Sequence, residues 1–297
     1  MRKTVAAIGI FDGVHLGHKK IIRAAVRAAK KIGGRSVVIT FDPHPLKVLR
    51  PHKPIPSIMS TAHRIRLICG LGADACSVIK FTKKFSSLKP RDFIKKILVD
   101  KLRISGLFVG TNFVFGKNNA GNIALLKRLG CEYGFKVTVV PMVKVDGKII
   151  SSTAIRDLII KGRLTEASRM LGRPVTVFGT VVSGASRGRL LGYPTANIDP
   201  HHEAIPPSGV YAVRVRIGNK RFGGAIFIGP RSTFGEREPV IEAHIFDFRS
   251  MIYGEDIEVA FVERLRGVKK FAGHKKLVEQ IRKDDANARR ILSRERQ

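Results

Sequence analysis

Two histidines and a glycine near the N-terminus have the spacing that phosphate-directed chemistry requires. His15, Gly17 and His18 separate an apolar segment, 4–11, from a segment of helical periodicity, 19–32. Ligands of open α/β sheets bind at the carboxyl ends of strands, and free N–H groups at helix N-termini favour phosphate. Two imidazoles there could donate hydrogen bonds to phosphate oxygens and stabilise charge as pyrophosphate leaves. Histidines that only cap the helix or lie at the surface are the alternative.

A second polar cluster consists of Ser151, Ser152 and Thr153, followed by Arg156 and Asp157. Serine and threonine are N-cap residues, and Asp157 suits the first turn of a helix. A cation such as Arg156 opposes the helix dipole there. Arg156 is therefore expected to meet a phosphate, and an arginine that reaches a surface carboxylate is the alternative.

A loop that contains Gly184, Gly188 and Arg189 leads to Thr195 and Asn197. The backbone N–H groups of such a loop can surround a polyphosphate, although the segment is not a Walker A sequence. Thr195 and Asn197 offer neutral oxygens, and Mg²⁺ prefers oxygen ligands.

Glu242 lies in a segment whose alternation places it on one face with His244 and Phe246. A carboxylate in such a strand can accept a proton from an attacking hydroxyl. A carboxylate paired with an arginine fits the same spacing, so both interpretations stay open from the residues alone.

The first half of the chain alternates strands with helices, which predicts a doubly wound, Rossmann-like α/β domain. Segment 4–11 is a continuous apolar run, typical of a parallel strand covered on both faces. Segment 19–32 repeats apolar residues at helical spacing. Further strands are predicted at 36–41, 76–81, 107–110 and 136–140, and further helices at 90–102 and 122–133.

From about residue 173 the pattern changes to short strands separated by turns. Five such segments predict a small closed antiparallel β-barrel with a C-terminal helix. The strands are predicted at 175–182, 209–217, 221–228, 240–248 and 256–265, and the helix at 275–292. The predicted domains are 1–173 and 174–297.

The length and composition allow one large domain or two ordinary ones with a buried core, and we expect a cytoplasmic protein. The chain has 297 residues, of which 44% are hydrophobic. No apolar run approaches the ~20 residues that a membrane span needs, and the N-terminal apolar stretch has no cleavage site. The three cysteines have no CxxC spacing, so we expect buried thiols rather than disulfides or zinc.

The chain is strongly basic, with 55 Lys and Arg against 23 Asp and Glu and a net charge of +32. Such a charge raises RNA binding as a hypothesis, because phosphate neutralisation dominates that affinity. The basic residues are scattered, however, and a phosphate-rich small substrate also benefits from a positive surface.

Four segments of the first half resemble the prokaryotic bifunctional FAD synthetases, which combine riboflavin kinase with FMN adenylyltransferase. They are GIFDGVHLGH at 9–18, ITFDPHP at 39–45, VGTNFVFG at 109–116 and ISSTAIR at 150–156. The resemblance implies that His15, His18 and Arg156 bind ATP phosphates and stabilise the transition state. Asn112, an Asp in many relatives, would lie in the same site.

The same resemblance implies further binding residues around this site. ATP or its phosphates would contact Gly9, Phe11, Gly17, Ser151, Ser152 and Thr153. The flavin would contact Asp42, His44 and Phe113.

Segments of the second half resemble a riboflavin kinase module. They are GASRGRLLGYPTAN at 184–197, GVY at 209–211, EAHIFDF at 242–248, and Tyr253-Gly254 with Val259 and Phe261 after it. The resemblance implies that ATP binds at Gly184, Gly188 and Arg189, that Thr195 and Asn197 contact Mg–ATP, and that Glu242 activates the ribityl 5′-hydroxyl. Ser232, where relatives usually carry Pro, would affect flavin affinity before activity.

The predicted function is FAD synthesis in two Mg²⁺-dependent steps. The C-terminal domain would phosphorylate riboflavin with ATP, and the N-terminal domain would transfer AMP from a second ATP to the resulting FMN. An RNA-binding protein on the same scaffold is the alternative from another class, and an enzyme in which one module has decayed is a third. The oligomeric state is not predicted.

Overall fold

The computed structural model describes residues 3–53, 55–184, 193–230 and 239–294. The chain forms two compact units: residues 1–57 with 61–154, and residues 58–60 with 155–297. The domain border at 173/174 stays a prediction.

A five-stranded parallel sheet forms the centre of the first unit, as the alternation of elements predicts. Its strands are β1 (Thr4–Ile8), β2 (Arg35–Asp42), β3 (Ala75–Lys80), β4 (Ile104–Gly110) and β5 (Lys136–Val140). The order β3-β2-β1-β4-β5 reverses direction between β1 and β4. Because ligands of open α/β sheets bind at such a switch point, the carboxyl end of β1 is the expected location of a site.

The predicted strand 4–11 is too long, because β1 ends at Ile8. Phe11 and Val14 adopt positive φ angles of 53° and 39°, which no strand accommodates. Both side chains are nevertheless buried. The apolar character of this segment therefore reflects a buried turn that leads from the strand into the first helix.

Helices flank the sheet. They are α1 (Leu16–Lys31), α2 (Pro45–Leu49), α3 (Thr61–Cys69), α4 (Lys83–Ser86), α5 (Pro90–Phe93), a π-helix (Ile94–Lys101), a 3₁₀ turn (Lys117–Asn119) and α6 (Ile123–Glu132). The helix predicted at 90–102 is therefore α-helical only in its first turn. A two-stranded hairpin, β6 (Lys144–Val145) and β7 (Lys148–Ile149), precedes α7 (Ser152–Ile160).

The second unit contains a closed barrel of six strands, one more than predicted. The strands are β8 (Thr176–Val182), β9 (Ala196–Pro200), β10 (Gly209–Ile217), β11 (Lys220–Pro230), β12 (Pro239–Ile245) and β13 (Asp256–Arg266). The unpredicted strand is β9, which pairs with β8 and β12. Strand β12 ends at Ile245 rather than Phe248, because Asp247 adopts a positive φ of 57°. Helix α8 (Leu164–Leu171) precedes the barrel.

The C-terminal helix α9 (His274–Arg294) packs on the outside of the barrel. Its residues Ala288, Ile291 and Leu292 join a buried cluster with Ala212 and Phe246. Within the described part of the chain, no helix has the length and hydropathy to cross a membrane. The expectation of buried cysteines is wrong for Cys69 and Cys131, which are exposed free thiols.

A nearly buried ion pair ties α9 to strand β13. Arg266 Nε lies 3.0 and 2.9 Å from the two carboxylate oxygens of Asp284, and Arg266 Nη2 lies 2.7 Å from Oδ2. Gln280 donates a further hydrogen bond to the same carboxylate. The two side chains are only 14% and 10% exposed. Removing one partner of such a pair leaves a desolvated charge, which is strongly destabilising.

We expect Asp284→Ala to lower the free energy of unfolding of the second unit by about 3 kcal/mol, because Arg266 would stay desolvated without its partner. Urea unfolding followed by circular dichroism measures this loss. Lys161→Ala is the control, since Lys161 pairs with Asp157 at the surface and should cost about 0.5 kcal/mol or less. Equal losses in the two variants would contradict the prediction.

Candidate functional site

His15 caps the N-terminus of α1 with its own side chain. The backbone N–H of His18 donates to His15 Nδ1 at 3.2 Å. Because Nδ1 accepts this hydrogen bond, it carries no proton, and the neutral ring holds its proton on Nε2. The capping alternative and the phosphate-binding hypothesis are therefore compatible: one ring nitrogen caps the helix and the other remains a donor.

The two imidazoles stack against each other at the end of β1. Their centroids are 3.5 Å apart with an interplanar angle of 18°, and Phe11 meets His18 edge-on at 5.2 Å. A side chain at Gly17 would lie 3.1 Å from His15 Cε1. A side chain at Gly9 would lie 3.0 Å from the Phe11 ring. The two glycines thus leave room for the stacked rings and for the turn that holds them.

Burial keeps both histidines neutral. Desolvation lowers the pKa of His15 to about 4, although an interaction of the ring with the backbone of His15 itself opposes the shift. Desolvation also lowers the pKa of His18, and the charges of His15 and Arg64 add to the effect. A neutral imidazole can still donate one N–H to an anionic oxygen, so this pair forms a polar but uncharged surface.

The serine cluster is joined to the loop after β1. The Ser152 hydroxyl donates to the Asp12 carbonyl at 2.8 Å, and the Ser151 hydroxyl accepts from the Ala154 N–H at 3.1 Å. Thr153 is exposed on the same turn. The structure therefore brings this cluster to the histidine loop, as phosphate binding by both segments requires.

The position of Arg156 in helix α7 differs from the prediction, so the helix dipole gives no reason to expect a phosphate there. Helix α7 begins at Ser152, so neither Arg156 nor Asp157 lies in its first turn. Asp157 instead pairs with Lys161 one turn later, at 2.9 Å. Arg156 is 8% exposed and belongs to the second of the two units. Its role in phosphate binding stays a prediction from the resemblance.

Arg64 is a buried cation that the sequence patterns do not indicate as functional. Its guanidinium donates to the carbonyls of Ile10 (3.0 Å) and Phe41 (2.9 Å), at the ends of β1 and β2. It also donates to the Thr61 hydroxyl at 2.9 Å. Burial lowers the pKa of Arg64, and the charges of Asp12 and Asp42 oppose that shift. Arg64 thus links the histidine loop to the segment after β2.

The residues predicted to contact flavin lie on two different segments after β2 and β4. Asp42 accepts a hydrogen bond from the Thr61 hydroxyl at 2.7 Å. His44 caps α2 by accepting from the Leu46 N–H at 3.2 Å. Phe113 stacks on Phe115 at 5.6 Å, and its neighbour Asn112 is exposed. These contacts fix the segments at the carboxyl edge of the sheet, and the flavin and nucleotide roles stay predictions.

In the barrel, the structure places Glu242 directly opposite Asn197. The two residues are register partners between β12 and β9, where directly opposite Cβ atoms lie ~4.5–5.5 Å apart. A side chain on Gly184 would overlap the Asn197 amide unless that amide shifted. Thr195 lies immediately before β9. The structure therefore brings a carboxylate and neutral oxygens together at one place on the barrel.

Three of the sequence-based expectations fall outside the described residues. They concern Gly188, Arg189 and Ser232.

The chain is similar to characterised families over nearly its whole length. Residues 1–154 match the family model described as FAD synthetase, and residues 171–292 match the model described as riboflavin kinase. Proteins named bifunctional riboflavin kinase/FMN adenylyltransferase are 38% identical in Buchnera aphidicola (95% of this chain, 91% of that protein) and 37% identical in Bacillus subtilis (98% and 93%). The Escherichia coli K12 protein of the same name is 34% identical over 97% and 92%.

A solved structure has the same fold over most of both chains. It comes from Streptococcus pneumoniae and is described as a macrolide-efflux protein. The TM-score is 0.85 with 33% identity, and the match covers 97% of this chain and 94% of the other.

The depressed pKa of His15 predicts how stability depends on pH. Between about 4 and the unfolded value of 6.5, the unfolded chain binds more protons, so stability is lost as pH falls through this range. From pH 7 to pH 5 we expect His15 to account for a loss on the order of 2 kcal/mol. Urea unfolding at the two pH values measures it.

His15→Asn keeps an oxygen that can cap α1 but does not titrate, so the pH-dependent loss should shrink in this variant. The exposed His52 provides the control His52→Asn, in which the wild-type loss should persist. An unchanged pH response in His15→Asn would show that His15 is not held neutral by the fold.

Proposed function

The chain belongs to the family of bifunctional riboflavin kinases/FMN adenylyltransferases, and we propose which residues carry each of its two reactions. The enzyme phosphorylates riboflavin to FMN and transfers an adenylyl group from ATP to FMN, which gives FAD and pyrophosphate. The first reaction belongs to the riboflavin kinase region and the second to the FAD synthetase region.

In the kinase reaction, Glu242 is the general base. Its carboxylate accepts the proton of the ribityl 5′-hydroxyl while that oxygen attacks the γ-phosphorus of ATP and the bond to the β–γ bridging oxygen breaks. The register pair Glu242–Asn197 supports this assignment, because it sets the base beside the segment predicted to hold the nucleotide. ADP leaves with the bridging oxygen.

Thr195 and Asn197 would hold Mg²⁺ together with the ATP phosphates. Their side chains offer neutral oxygens, and a carboxylate lies opposite on the paired strand, a donor set of the class that Mg²⁺ takes. When bound, the ion neutralises charge on the phosphates of the nucleotide. The protein side chains fix where those phosphates lie relative to Glu242.

In the adenylyl transfer, His15 and His18 donate hydrogen bonds to ATP phosphates. An oxygen of the FMN phosphate attacks the α-phosphorus, and the bond to the α–β bridging oxygen breaks to release pyrophosphate. The stacked pair at the end of β1 supports this role, because His15 Nε2–H remains a donor after Nδ1 has capped the helix. Asn112 is proposed to stabilise the same transition state, and the role of Arg156 stays the prediction that the resemblance gives.

The cellular compartment and the binding of nucleic acid are two further proposals. The chain carries out its reactions in the cytoplasm, consistent with the absence of a membrane-crossing helix in the described residues. Nucleic-acid binding stays a secondary hypothesis, which the basic helix α1, with Lys and Arg but no Asp or Glu, favours.

Separate residues for the two reactions predict separable losses. Glu242→Gln should reduce FMN formation from riboflavin about 1000-fold, since a general base contributes ~10²–10⁴, and should leave conversion of added FMN to FAD intact. His18→Ala should have the opposite pattern. Chromatography of flavins after incubation with Mg–ATP measures both reactions, and loss of both in either variant would refute the assignment.

Asn197→Ala should raise the Mg²⁺ concentration for half-maximal FMN formation about tenfold, because one oxygen ligand or phosphate contact is lost. Adenylyl transfer by the same variant provides the control, and its Mg²⁺ requirement should not change. A kinase whose Mg²⁺ requirement also stays at the wild-type level would show that Asn197 does not serve the ion.

A further inference from the structure

His244 lies next to both groups proposed for the kinase reaction. It follows Glu242 by two residues on β12, and the two side chains share the outer face of the barrel. Ala243, which lies between these two residues, and Ile245, which follows His244, are buried in the barrel interior. His244 itself is 18% exposed, so its surroundings are largely formed by protein.

Both ring nitrogens of His244 meet an acceptor. Nδ1 lies 2.9 Å from the Pro194 carbonyl oxygen, and Nε2 lies 3.3 Å from Asp285 Oδ2 on helix α9. Tyr193, the residue before Pro194, packs edge-on against the imidazole at 5.4 Å. The imidazole therefore connects three elements: helix α9, strand β12 and the segment that enters β9.

A carbonyl and a carboxylate can only accept, so the two contacts together require a proton on each ring nitrogen. Burial lowers the pKa of His244, but hydrogen bonds to Asp285 and Pro194 outweigh it, so the pKa is raised overall. Arg289 acts against this shift, and Asp285 supports it through its charge. The geometry and the electrostatics agree on an imidazolium that donates in two directions.

The hydrogen bond between His244 and the Pro194 carbonyl lies where the backbone pairing between β9 and β12 ends. Register partners are Glu242 with Asn197 and Ala243 with Ala196, and the pairing goes no further. Pro194 has no backbone N–H, so the carbonyl is the only backbone group of this residue that can form a hydrogen bond. The His244 side chain binds that carbonyl and thus holds the chain just before Thr195.

We propose that His244 and Asp285 are positioning residues that hold the Pro194–Asn197 segment for ATP in the kinase reaction. This inference rests on the proposed assignment of Thr195 and Asn197 to ATP. The pair touches no reacting atom. It acts through Pro194, and its loss should weaken ATP binding while the reacting groups stay in place.

The experiment measures KM for ATP and kcat of FMN formation in the full-length enzyme. Asp285→Ala should raise KM for ATP about tenfold, the effect of losing one charge-assisted contact, with kcat within about twofold of wild type. Asp285→Asn should give an intermediate KM, because the amide can still form a hydrogen bond with the imidazole but lacks the charge that favours its protonated form.

His244→Ala should resemble Asp285→Ala, and the double variant should be no worse than the worse single variant, because both residues act through one link. Asp284→Asn is the matched control. Asp284 is the neighbouring residue on α9, but it ties the helix to Arg266 on β13. It should lower the barrel's melting temperature without changing KM for ATP.

The outcomes separate the inference from the function on which it rests. If the wild-type enzyme forms no FMN, the proposed function fails. If it forms FMN and KM for ATP is unchanged in both Asp285→Asn and His244→Ala, the positioning role is refuted. A similar rise of KM in Asp284→Asn, or additive effects in the double variant, would also refute it, because the losses would then follow from barrel stability. Asp285→Asn preserves side-chain volume, so the test does not depend on Asp285→Ala being folded.

Discussion

The hydrogen bonds of the buried Arg64 guanidinium are the interactions on which the carboxyl edge of the sheet in the first unit depends. A desolvated charge is costly unless hydrogen bonds compensate for it. Arg64 receives that compensation from the carbonyls of Ile10 and Phe41, the residues with which the chain leaves β1 and β2. The Thr40 hydroxyl also donates to the Ile10 carbonyl, at 2.8 Å, so a side chain of β2 and the guanidinium share this acceptor. The same cation thus fixes both the loop that carries the histidines and the segment that begins with Asp42.

In the barrel too, side-chain contacts hold a segment where strand pairing ends, here at the start of β9. Strand β9 shares only two register pairs with β12, and one of them joins Asn197 to Glu242. The absence of a side chain at Gly184 leaves room for the Asn197 amide. The other neighbour of β9, strand β8, pairs with it from Asn197 to Pro200 and not at Ala196. The His244–Pro194 hydrogen bond therefore adds an attachment at the start of the strand. In both units, polar side chains form hydrogen bonds with backbone carbonyls near the ends of the strand pairing.

Sequence periodicity predicted the buried strands and helices, but it missed elements that carry few apolar residues. The parallel strands and α1 are recognisable because apolar runs and helical spacing reflect burial. Strand β9 was missed because it begins within the loop motif that ends at Asn197 and contributes few apolar residues. Asp285 and Arg64 could not be assigned because their partners lie far away along the chain. For Arg64 one signal existed: it shares a face of α3 with the buried Ile68, one turn later, where a charge is unexpected.

The electrostatics of the histidine pair set a condition on how the first unit can bind a polyanion. The chain carries a net charge of +32, yet burial lowers the pKa of both imidazoles and holds them neutral. Two stacked imidazolium rings 3.5 Å apart beside Arg64 would repel one another strongly, so the neutral state keeps the pair stable. On the proposed assignment, His15 and His18 therefore meet the nucleotide phosphates as neutral N–H donors, and the hydrogen bonds that they donate, rather than charge on the rings, stabilise the departing pyrophosphate.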